Sequence, residues 1–437
     1  MAVPADVEVY RPYKIGSALI SVLFFITPVV SAAIPRLTWL FFPLIACLLI
    51  LAAIRRGGEW QQLIQPNPTL IACLLVAGYV LLDASWAADP GTAFGKGLLL
   101  AAVVLISFAA SRAIPQVDEE QLRKATIAFS LGTFIAALFL IFELLTHGAI
   151  TRLVLNSVEV LQRRHVKHAD ISNGELISLS LSLLNRNVNI LTFSVWPALL
   201  GLKATFSGVR RAVFAAVLLA PVILVVVLSE HQSSQVAIIV SVAVFCLASL
   251  WRTPVIRALA VVWCLAFVLV LPMDFLVYKA DLHMAHWLPN SFRARIIIWE
   301  YTAERVFDHP WLGVGADSTR VLKEPNTREM AEWPQGFIYP RTIGWHAHDL
   351  FLQTWFELGV IGALLIALAG AMVALRMSLL PVEAQPFASA SFTAFMAISS
   401  FGWGMWQTWL ICGAALLLIF LLVAAKVTTG EHHPSTP

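Results

Sequence analysis

Charged side chains are scarce in this chain of 437 residues, and long apolar runs take their place. Asp, Glu, Lys and Arg make up 13% of the residues and hydrophobic residues 59%, whereas an ordinary soluble domain has roughly 25% charged residues. This shortage of charge argues against a soluble globular protein. Stretches of about 18 or more apolar residues recur, each long enough to cross a hydrocarbon core of about 30 Å as a helix. Because a helix satisfies its own backbone in lipid, the sequence predicts an all-α polytopic membrane protein.

Several patterns that carry chemistry in soluble enzymes are also missing. The five cysteines all lie inside apolar runs and form no C-x-x-C pair, which indicates buried packing rather than disulfides or a zinc site. There is no H-E-x-x-H and no G-x-x-x-x-G-K-[ST]. Basic residues are dispersed rather than massed in a tail, so nucleic acid is excluded as a partner. We expect no metal and no other cofactor.

The apolar runs predict about twelve membrane spans. Since the first run lacks a small-residue cleavage site and is followed by another span, we expect no cleaved signal peptide. The predicted spans are 15–33, 37–54, 69–87, 95–111, 125–146, 187–202, 212–229, 233–250, 258–276, 349–375, 386–401 and 407–425. We treat residues 1–437 as a single membrane domain.

Basic residues in the short connections predict the orientation. Lys and Arg are enriched in cytoplasmic loops, and alternate connections here are basic if both termini are cytoplasmic. The short connections on the other side contain only Arg36 and Lys96. The basic residues of the predicted cytoplasmic connections are Arg11, Lys14, Arg55, Arg56, Arg112, Arg123, Lys124, Lys203, Arg210, Arg211, Arg252, Arg257, Arg376 and Lys426.

Two long loops are predicted on the outer, periplasmic side, at 147–186 and, between spans nine and ten, at 277–348. The first contains an amphipathic segment suited to the membrane surface. Its apolar side is Val154, Val158 and Leu161, and its basic side is Arg163, Arg164 and Lys167. In "ISLSLSLL" (177–184) the alternation is typical of a strand, but a strand without a partner is unstable beside a bilayer, so we expect the start of a helix there.

His348 is the sharpest candidate for catalysis, because it lies where the span that begins near residue 349 meets the second long loop. The exposed N–H groups and dipole of a helix N-terminus disfavour an imidazolium, so the ring stays neutral and able to accept a proton. An interfacial polar His348 with Asp349 as a helix N-cap is the alternative. His346, His348 and Asp349 also resemble a metal cluster, but no third well-spaced ligand accompanies them, and we predict none.

Arginines lie where the outer loops meet the membrane. Arg186 follows the first long loop, and Arg295 and Arg293 lie within the second. Guanidinium groups are costly at that depth without an anionic partner, and their fork suits a diphosphate. Arg341, just before the histidines, adds another cation. The alternative for each arginine is snorkelling to lipid phosphates.

These residues fall into a pattern that resembles the O-antigen ligase and polymerase superfamily. That family has a histidine, a neutral polar residue, nine residues and then two glycines three apart, often with a preceding glutamate. The corresponding residues here are His348, Asp349, Glu357, Gly359 and Gly362. The family's arginine four residues before a tryptophan, followed by P-x-x-G-x-G, is similar to Arg295, Trp299 and "PWLGVG" at 310–315. Its "NRN" is matched at 185–187.

The resemblance implies transfer of a glycan from undecaprenyl pyrophosphate to a hydroxyl of lipid A–core, at the periplasmic face of the bacterial inner membrane and without metal or nucleotide. His348 would be the general base and Arg186 and Arg295 would bind the diphosphate. His346, Arg341, Asp349, Glu357 and Arg293 would contact the acceptor or support these groups. Asp349 departs from the pattern, because an acid stands where the family has a neutral residue.

Two alternatives stay open. A polymerase of the same superfamily would use another lipid-linked repeat as acceptor. A glycolipid transporter also fits about twelve spans, but transporters place their ionisable groups near the membrane midplane, whereas most here are predicted at the outer face. Membrane lipids are expected partners in every case.

Overall fold

The computed structural model describes residues 11–158, 169–172, 175–322, 326–330, 340–402 and 404–429. Most of them are helical, and all four strands lie within the two predicted outer loops. The elements are α1 (Arg11–Ala33), α2 (Thr38–Arg55), α3 (Trp60–Leu63), α4 (Pro68–Asp83), α5 (Pro90–Ala113), α6 (Glu119–Leu145), α7 (Ala149–Asn156), β1 (Ala169–Ser172), β2 (Glu175–Leu179), α8 (Asn185–Thr205), α9 (Gly208–Leu228), α10 (Gln232–Leu250), α11 (Arg252–Lys279), α12 (Asn290–Val306), α13 (Thr319–Leu322), β3 (Asn326–Met330), β4 (Pro340–Arg341), α14 (Leu350–Arg376), α15 (Gln385–Phe401) and α16 (Thr408–Thr428).

Each of the twelve segments predicted as spans contains a helix. Within the described ranges, nine helices are long and apolar enough to cross a membrane, and those at Ala18–Ala33 and Pro68–Asp83 are apolar but shorter. The prediction of a polytopic helical membrane protein is therefore confirmed. The count of twelve spans and the single membrane domain stay predictions.

Local sequence explains where these helices begin. Asn67 accepts a hydrogen bond from the Leu70 N–H at 3.0 Å, with Pro68 as the first residue of α4. Asp118 accepts from the Gln121 N–H at 3.1 Å, and Glu119 and Glu120 occupy the first turn of α6, where negative charge is favourable.

The chain divides into two compact units. The first consists of residues 1–65, 106–232 and 415–437, and the second of residues 66–105 and 233–414. In the first unit α6 packs against α1, α8 and α9. Phe24, Phe129 and Phe420 form an aromatic cluster, with ring centroids of Phe129 and Phe420 4.1 Å apart. Gly132 allows α6 to approach α1, since a Cβ there would lie 2.2 Å from the Phe25 carbonyl oxygen.

A β-hairpin replaces the expected start of a helix at 177–184. Strand β2 pairs antiparallel with β1, with Ala169 opposite Leu179. The prediction was wrong because β1 supplies the partner strand that the sequence pattern did not reveal. Leu176 and Leu179 of β2 pack on Leu155 of α7, so only residues 181–184 form a helical turn before α8. Of the predicted amphipathic segment, α7 is helical, while Leu161, Arg163, Arg164 and Lys167 lie outside the described residues.

In the second unit α11 and α4 both pack on α14, and α12 contacts α11 and α14. Trp263 of α11 is central to this packing: its ring contacts Phe267 and Phe351, and its indole N–H donates to the Ile366 carbonyl at 3.2 Å. Gly370 makes room for that ring, because a Cβ there would lie 2.2 Å from the indole. This core fixes α14, the helix that follows His348.

Gly132→Ala should destabilise the first unit, because the added methyl group meets a backbone oxygen that cannot rotate away. Overpacking of this kind costs about 1–3 kcal/mol. Thermal unfolding in detergent should show a lower melting temperature. Gly78→Ala in α4 is the matched control: nothing lies within 4 Å of its Cβ, so the better helix former should leave stability unchanged or raise it. Equal melting temperatures for Gly132→Ala and the wild type would contradict the assigned contact.

Candidate active site

The helix after His348 is broken at Gly359, whose φ of 62° and ψ of −167° are not helical. Residues 310–315 lie against the break and satisfy its backbone. The Val314 N–H donates to the Phe356 carbonyl at 3.1 Å, and the Gly315 N–H to the Glu357 carbonyl at 2.8 Å. Beyond the break, the Val360 N–H donates to the Pro310 carbonyl at 2.9 Å. We call these hydrogen bonds between residues 310–315 and 356–361 the clasp.

Glycine is required on both sides of the clasp. A Cβ at Gly313 would lie 2.3 Å from the carbonyl carbon of Glu357, and one at Gly359 would lie 2.4 Å from that of Trp311. Both glycines also have positive φ, a conformation in which other L-residues are strained. The glycines of "PWLGVG" and Gly359 therefore belong to one backbone contact, although about 45 residues separate them in the sequence.

Two residues of α4 that sequence reasoning missed complete the clasp. The Tyr79 hydroxyl lies 2.9 Å from the Leu358 carbonyl oxygen and 3.3 Å from that of Leu312. Asp83, one helical turn later, accepts a hydrogen bond from the Ala316 N–H at 3.1 Å and is fully buried. An aspartate inside a predicted span, with a tyrosine four residues before it on the same helix face, was the available signal.

Glu357 anchors the loop that follows the clasp. Its fully buried carboxylate accepts hydrogen bonds from the Thr319 N–H at 3.1 Å, the Asp317 N–H at 3.3 Å and the Gln353 side-chain amide at 3.2 Å. The Thr319 hydroxyl and the Trp406 indole N–H also donate to it. This carboxylate has no exposed surface. It holds the loop to α14 and cannot contact an acceptor substrate.

The segment before His348 is attached to α12. The Trp299 indole N–H donates to the Ala347 carbonyl at 2.8 Å. Arg341 forms ion pairs of 2.8 Å with Glu300 and with Glu304. The guanidinium of Arg341, which the sequence suggested for acceptor binding, is thus engaged by two carboxylates of α12 and ties the loop down.

His348 lies at the boundary between this loop and α14, with a positive φ of 57°. A non-glycine residue in the left-handed region costs of order 1–3 kcal/mol and persists only where its surroundings enforce it. The Trp299 bond to Ala347 precedes it, and the cap formed by Asp349 follows it. His346 lies beside it, with ring centroids 3.9 Å apart, and the His348 N–H donates to His346 Nδ1 at 3.2 Å.

Burial and neighbouring groups lower the pKa of His348 well below its ordinary value of 6.5. Burial is the largest cause, and electrostatic interactions with His346 and Arg295 act in the same direction. Each of these effects disfavours the imidazolium. The ring is therefore neutral near pH 7 and can accept a proton, although burial contributes more than the helix N-terminus on which the sequence argument relied.

Asp349 is the N-cap of α14. Its carboxylate accepts hydrogen bonds from the Phe351 N–H at 2.7 Å and the Leu352 N–H at 3.0 Å. Burial raises the pKa of Asp349 to about 7, against the lowering effect of these two bonds. Burial thus disfavours the carboxylate form, so the acid that departs from the family pattern is less readily ionised beside His348 than an exposed aspartate would be.

Arg295 lies on α12, and no carboxylate of the described residues pairs with it. Within the described part of the chain its guanidinium forms no hydrogen bond or ion pair, and burial lowers its pKa. Its charge acts on His348, so the structure brings these two predicted site residues together. Arg293, also predicted, is buried, and its guanidinium donates to the Asn290 side chain, which directs it toward the start of its own helix.

Arg186 belongs to the first unit, near the start of α8. The Asn187 amide donates to the Ala32 carbonyl at 2.6 Å and so holds this helix start against the end of α1. The exposed Arg186 forms no hydrogen bond or ion pair among the described residues, and the charge of Arg36, in the turn after α1, acts on it. Arg36 was not predicted as a site residue, but a basic residue on the side where positive charge is depleted was a usable signal.

Comparison with known proteins supplies the context for this geometry. Residues 212–367 match a protein-family model described as O-antigen ligase. That range contains Arg295, both halves of the clasp, and His348. Arg186 lies outside it.

Curated relatives extend the similarity along the chain. A Rickettsia felis protein named "Putative polysaccharide ligase" is 22% identical over 389 residues, which cover 85% of this chain and 88% of that protein. A Rickettsia conorii protein of the same description is 22% identical over 74% of this chain and 72% of its own length. One from Rickettsia bellii is 21% identical over 81% and 79%.

Gly313→Ala and Gly359→Ala should each lower the melting temperature, because each inserts a methyl group into the same backbone contact. Once one substitution has opened the clasp, the second has little left to disrupt. The double variant should therefore lose less stability than the sum of the two single losses, by about 0.5–3 kcal/mol. A double-mutant cycle from thermal unfolding in detergent measures this difference. Strict additivity would show that the two glycines do not share one contact.

Asp349→Asn should remove a pH-dependent loss of stability. The folded pKa of about 7 lies above the ordinary 3.8, so between these values the folded state binds more protons than the unfolded state, and stability falls as pH rises. Asparagine caps a helix equally well and has no charge to bury. The variant should gain on the order of a few kcal/mol over the wild type at pH 8 and little at pH 4. Melting temperatures across this range test it, and parallel pH profiles would contradict it.

Proposed function

We propose that the chain acts as a member of the O-antigen ligase superfamily and transfers a glycan from undecaprenyl pyrophosphate to a hydroxyl of lipid A–core at the periplasmic face of the bacterial inner membrane. In this proposal both termini are cytoplasmic, so the loop before His348 faces the periplasm. The observation that carries the proposal is a neutral His348 close enough to Arg295 to feel its charge, with no carboxylate paired to Arg295 in the part of the chain that the structure describes. A hydroxyl nucleophile needs a base, and a diphosphate leaving group needs a cation.

The proposed reaction begins at the acceptor hydroxyl. Its oxygen attacks the anomeric carbon of the donor sugar and forms the new glycosidic bond, while its proton passes to the His348 imidazole. The bond between the anomeric carbon and the pyrophosphate oxygen breaks, and its electron pair leaves with undecaprenyl pyrophosphate. Positive charge at Arg295 stabilises that developing charge.

The low pKa of His348 fits a base that must be unprotonated before each turnover. The protonated ring then releases its proton easily after transfer, because burial and the positive charge of Arg295 oppose the charged form. His346, whose Nδ1 accepts the His348 N–H, sets the position of the catalytic residue. Asp349, Glu357, Arg341 and Arg293 act through the geometry of the loop and helix. Arg186 stays the corresponding diphosphate-binding prediction in the first unit.

His348→Asn should reduce transfer by about 10²–10⁴-fold, the usual contribution of a general base. Asparagine tolerates the left-handed conformation, so the loss should occur without a fall in melting temperature. The assay uses purified full-length protein, a defined undecaprenyl-pyrophosphate glycan and lipid A–core, with no added metal. His147→Asn is the matched control, since His147 also has a positive φ, of 50°, and lies in the first unit. Full activity of His348→Asn would exclude the histidine base.

The products of the same assay separate the alternatives. Glycan attached to lipid A–core supports a ligase, whereas lengthened lipid-linked glycan with unmodified core indicates a polymerase. Movement of the glycolipid across liposomes without any transfer would indicate a transporter and would overturn the enzymatic proposal.

A further inference from the structure

A cavity of about 210 Å³ opens in the second unit at the end of α12. Its polar side consists of Tyr301 and Arg305 of this helix and of Asp308 and His309 in the turn that follows. We call it the Arg305 cavity. None of these residues was a predicted site residue, and the proposed transfer reaction does not use them.

The opposite side of the Arg305 cavity is apolar and rigid. Val314 and Phe356 contribute from the two segments of the clasp, and Ile343 lies five residues before His348. The backbone of Val314 is hydrogen-bonded to that of Phe356 at 3.1 Å, and the Ile343 side chain is buried. The Arg305 cavity is therefore lined in part by the clasp and by the loop that precedes His348.

A ligand can bind the polar groups of the cavity without breaking strong interactions within the protein. Arg305 and Asp308 form an ion pair of 3.4 Å, but both side chains are about half exposed, 47% and 56%, and such pairs contribute little to stability. The ring of His309 makes no hydrogen bond among the described residues and is exposed. The rim thus offers charged donors, a carboxylate acceptor and an unengaged imidazole.

This combination selects a neutral, polyhydroxylated ligand. A phosphate is disfavoured because Asp308 lies beside Arg305 and cancels its charge, and an acyl chain is disfavoured because three polar side chains stand at the opening. A sugar ring has hydroxyl groups that donate to and accept from such a rim and a C–H face that packs on apolar side chains. The volume is below the roughly 300 Å³ at which pockets for drug-sized ligands begin, so it suits one ring rather than a chain segment.

We propose that the Arg305 cavity binds one pyranose ring of a glycan substrate, through Arg305, Asp308 and His309 at its rim and Val314, Ile343 and Phe356 at its floor. This inference rests on the proposed function, since it assigns a sugar-binding subsite to the same enzyme. The ring belongs either to the transferred glycan or to the acceptor core. The subsite fixes substrate length and does not take part in bond formation.

The test compares long and short substrates in purified full-length protein. His309→Ala removes a rim group whose ring makes no hydrogen bond in the described part of the chain, and Leu322→Trp places a large ring at a lining residue that is 41% exposed. With a donor that carries a full repeat, each variant should raise KM about tenfold, with kcat unchanged. A donor with a single sugar should show no change. If the ring belongs to the acceptor, the same difference appears between complete and truncated core instead.

His286→Ala is the matched control, because His286 is an exposed histidine of the same predicted outer loop and does not line the cavity. Its kinetic constants should equal those of the wild type. Variants at His309 and Leu322 that leave KM unchanged for every substrate, or that lower kcat equally with long and short ones, would overturn the subsite while the transferase proposal stands.

Titration calorimetry with the free oligosaccharides of the donor repeat and of the core separates the two proposals. Binding to the wild type that weakens about tenfold in His309→Ala supports the subsite even if no transfer is detected, in which case only the transferase proposal fails. Equal binding by both proteins, or no binding by either, would remove the subsite.

Discussion

The clasp between residues 310–315 and the break at Gly359 is the contact on which the candidate site depends. It is made of backbone atoms, so it fixes position more strictly than side-chain packing does: the Val360 and Gly315 N–H groups have their acceptors only when both segments approach to hydrogen-bonding distance. A continuous helix would satisfy the Val360 N–H internally, through the Phe356 carbonyl. The break is stable because residues 310–315 supply hydrogen-bond partners for the backbone groups that the helix leaves unpaired at Gly359. Those same hydrogen bonds hold residues 310–315 in place.

Several charged side chains around the clasp are engaged in holding the loop in place. Glu357 accepts the backbone N–H groups of Asp317 and Thr319, one oxygen of Asp83 accepts that of Ala316, and Arg341 is engaged by Glu300 and Glu304. These charged groups hold the loop, whereas Arg295 is a half-buried cation with no carboxylate partner among the described residues. A buried cation is costly unless something pairs with it, and this cost favours an anionic substrate.

Much of the fold could be predicted from the sequence, because lipid admits few solutions for a long apolar run: every predicted span contains a helix. The N-cap at Asp349 also followed from a local rule, whereas the pKa of His348 is lowered by burial, His346 and Arg295 rather than by the helix start on which the sequence argument relied. The break at Gly359 could not be predicted by hydropathy, since the run from 350 to 376 is predominantly apolar and the partners of the break lie more than forty residues earlier. The β1–β2 hairpin was missed for a different reason: the strand β1 carries no apolar pattern of its own. The roles of Tyr79 and Asp83 depend on hydrogen bonds to Leu358 and Ala316, which lie more than 200 residues away in the sequence.

The clasp and the ion pairs of Arg341 also tie down both ends of the chain between Gly315 and His348. A loop with fixed ends can change length at small entropic cost, because closure entropy grows only with the logarithm of loop length. Insertions or deletions inside it should therefore leave His348 and Arg295 in place. Under the proposed function, sequence changes confined to this one segment would alter the surface presented to the glycan without disturbing the catalytic groups, and the segment could be exchanged between relatives.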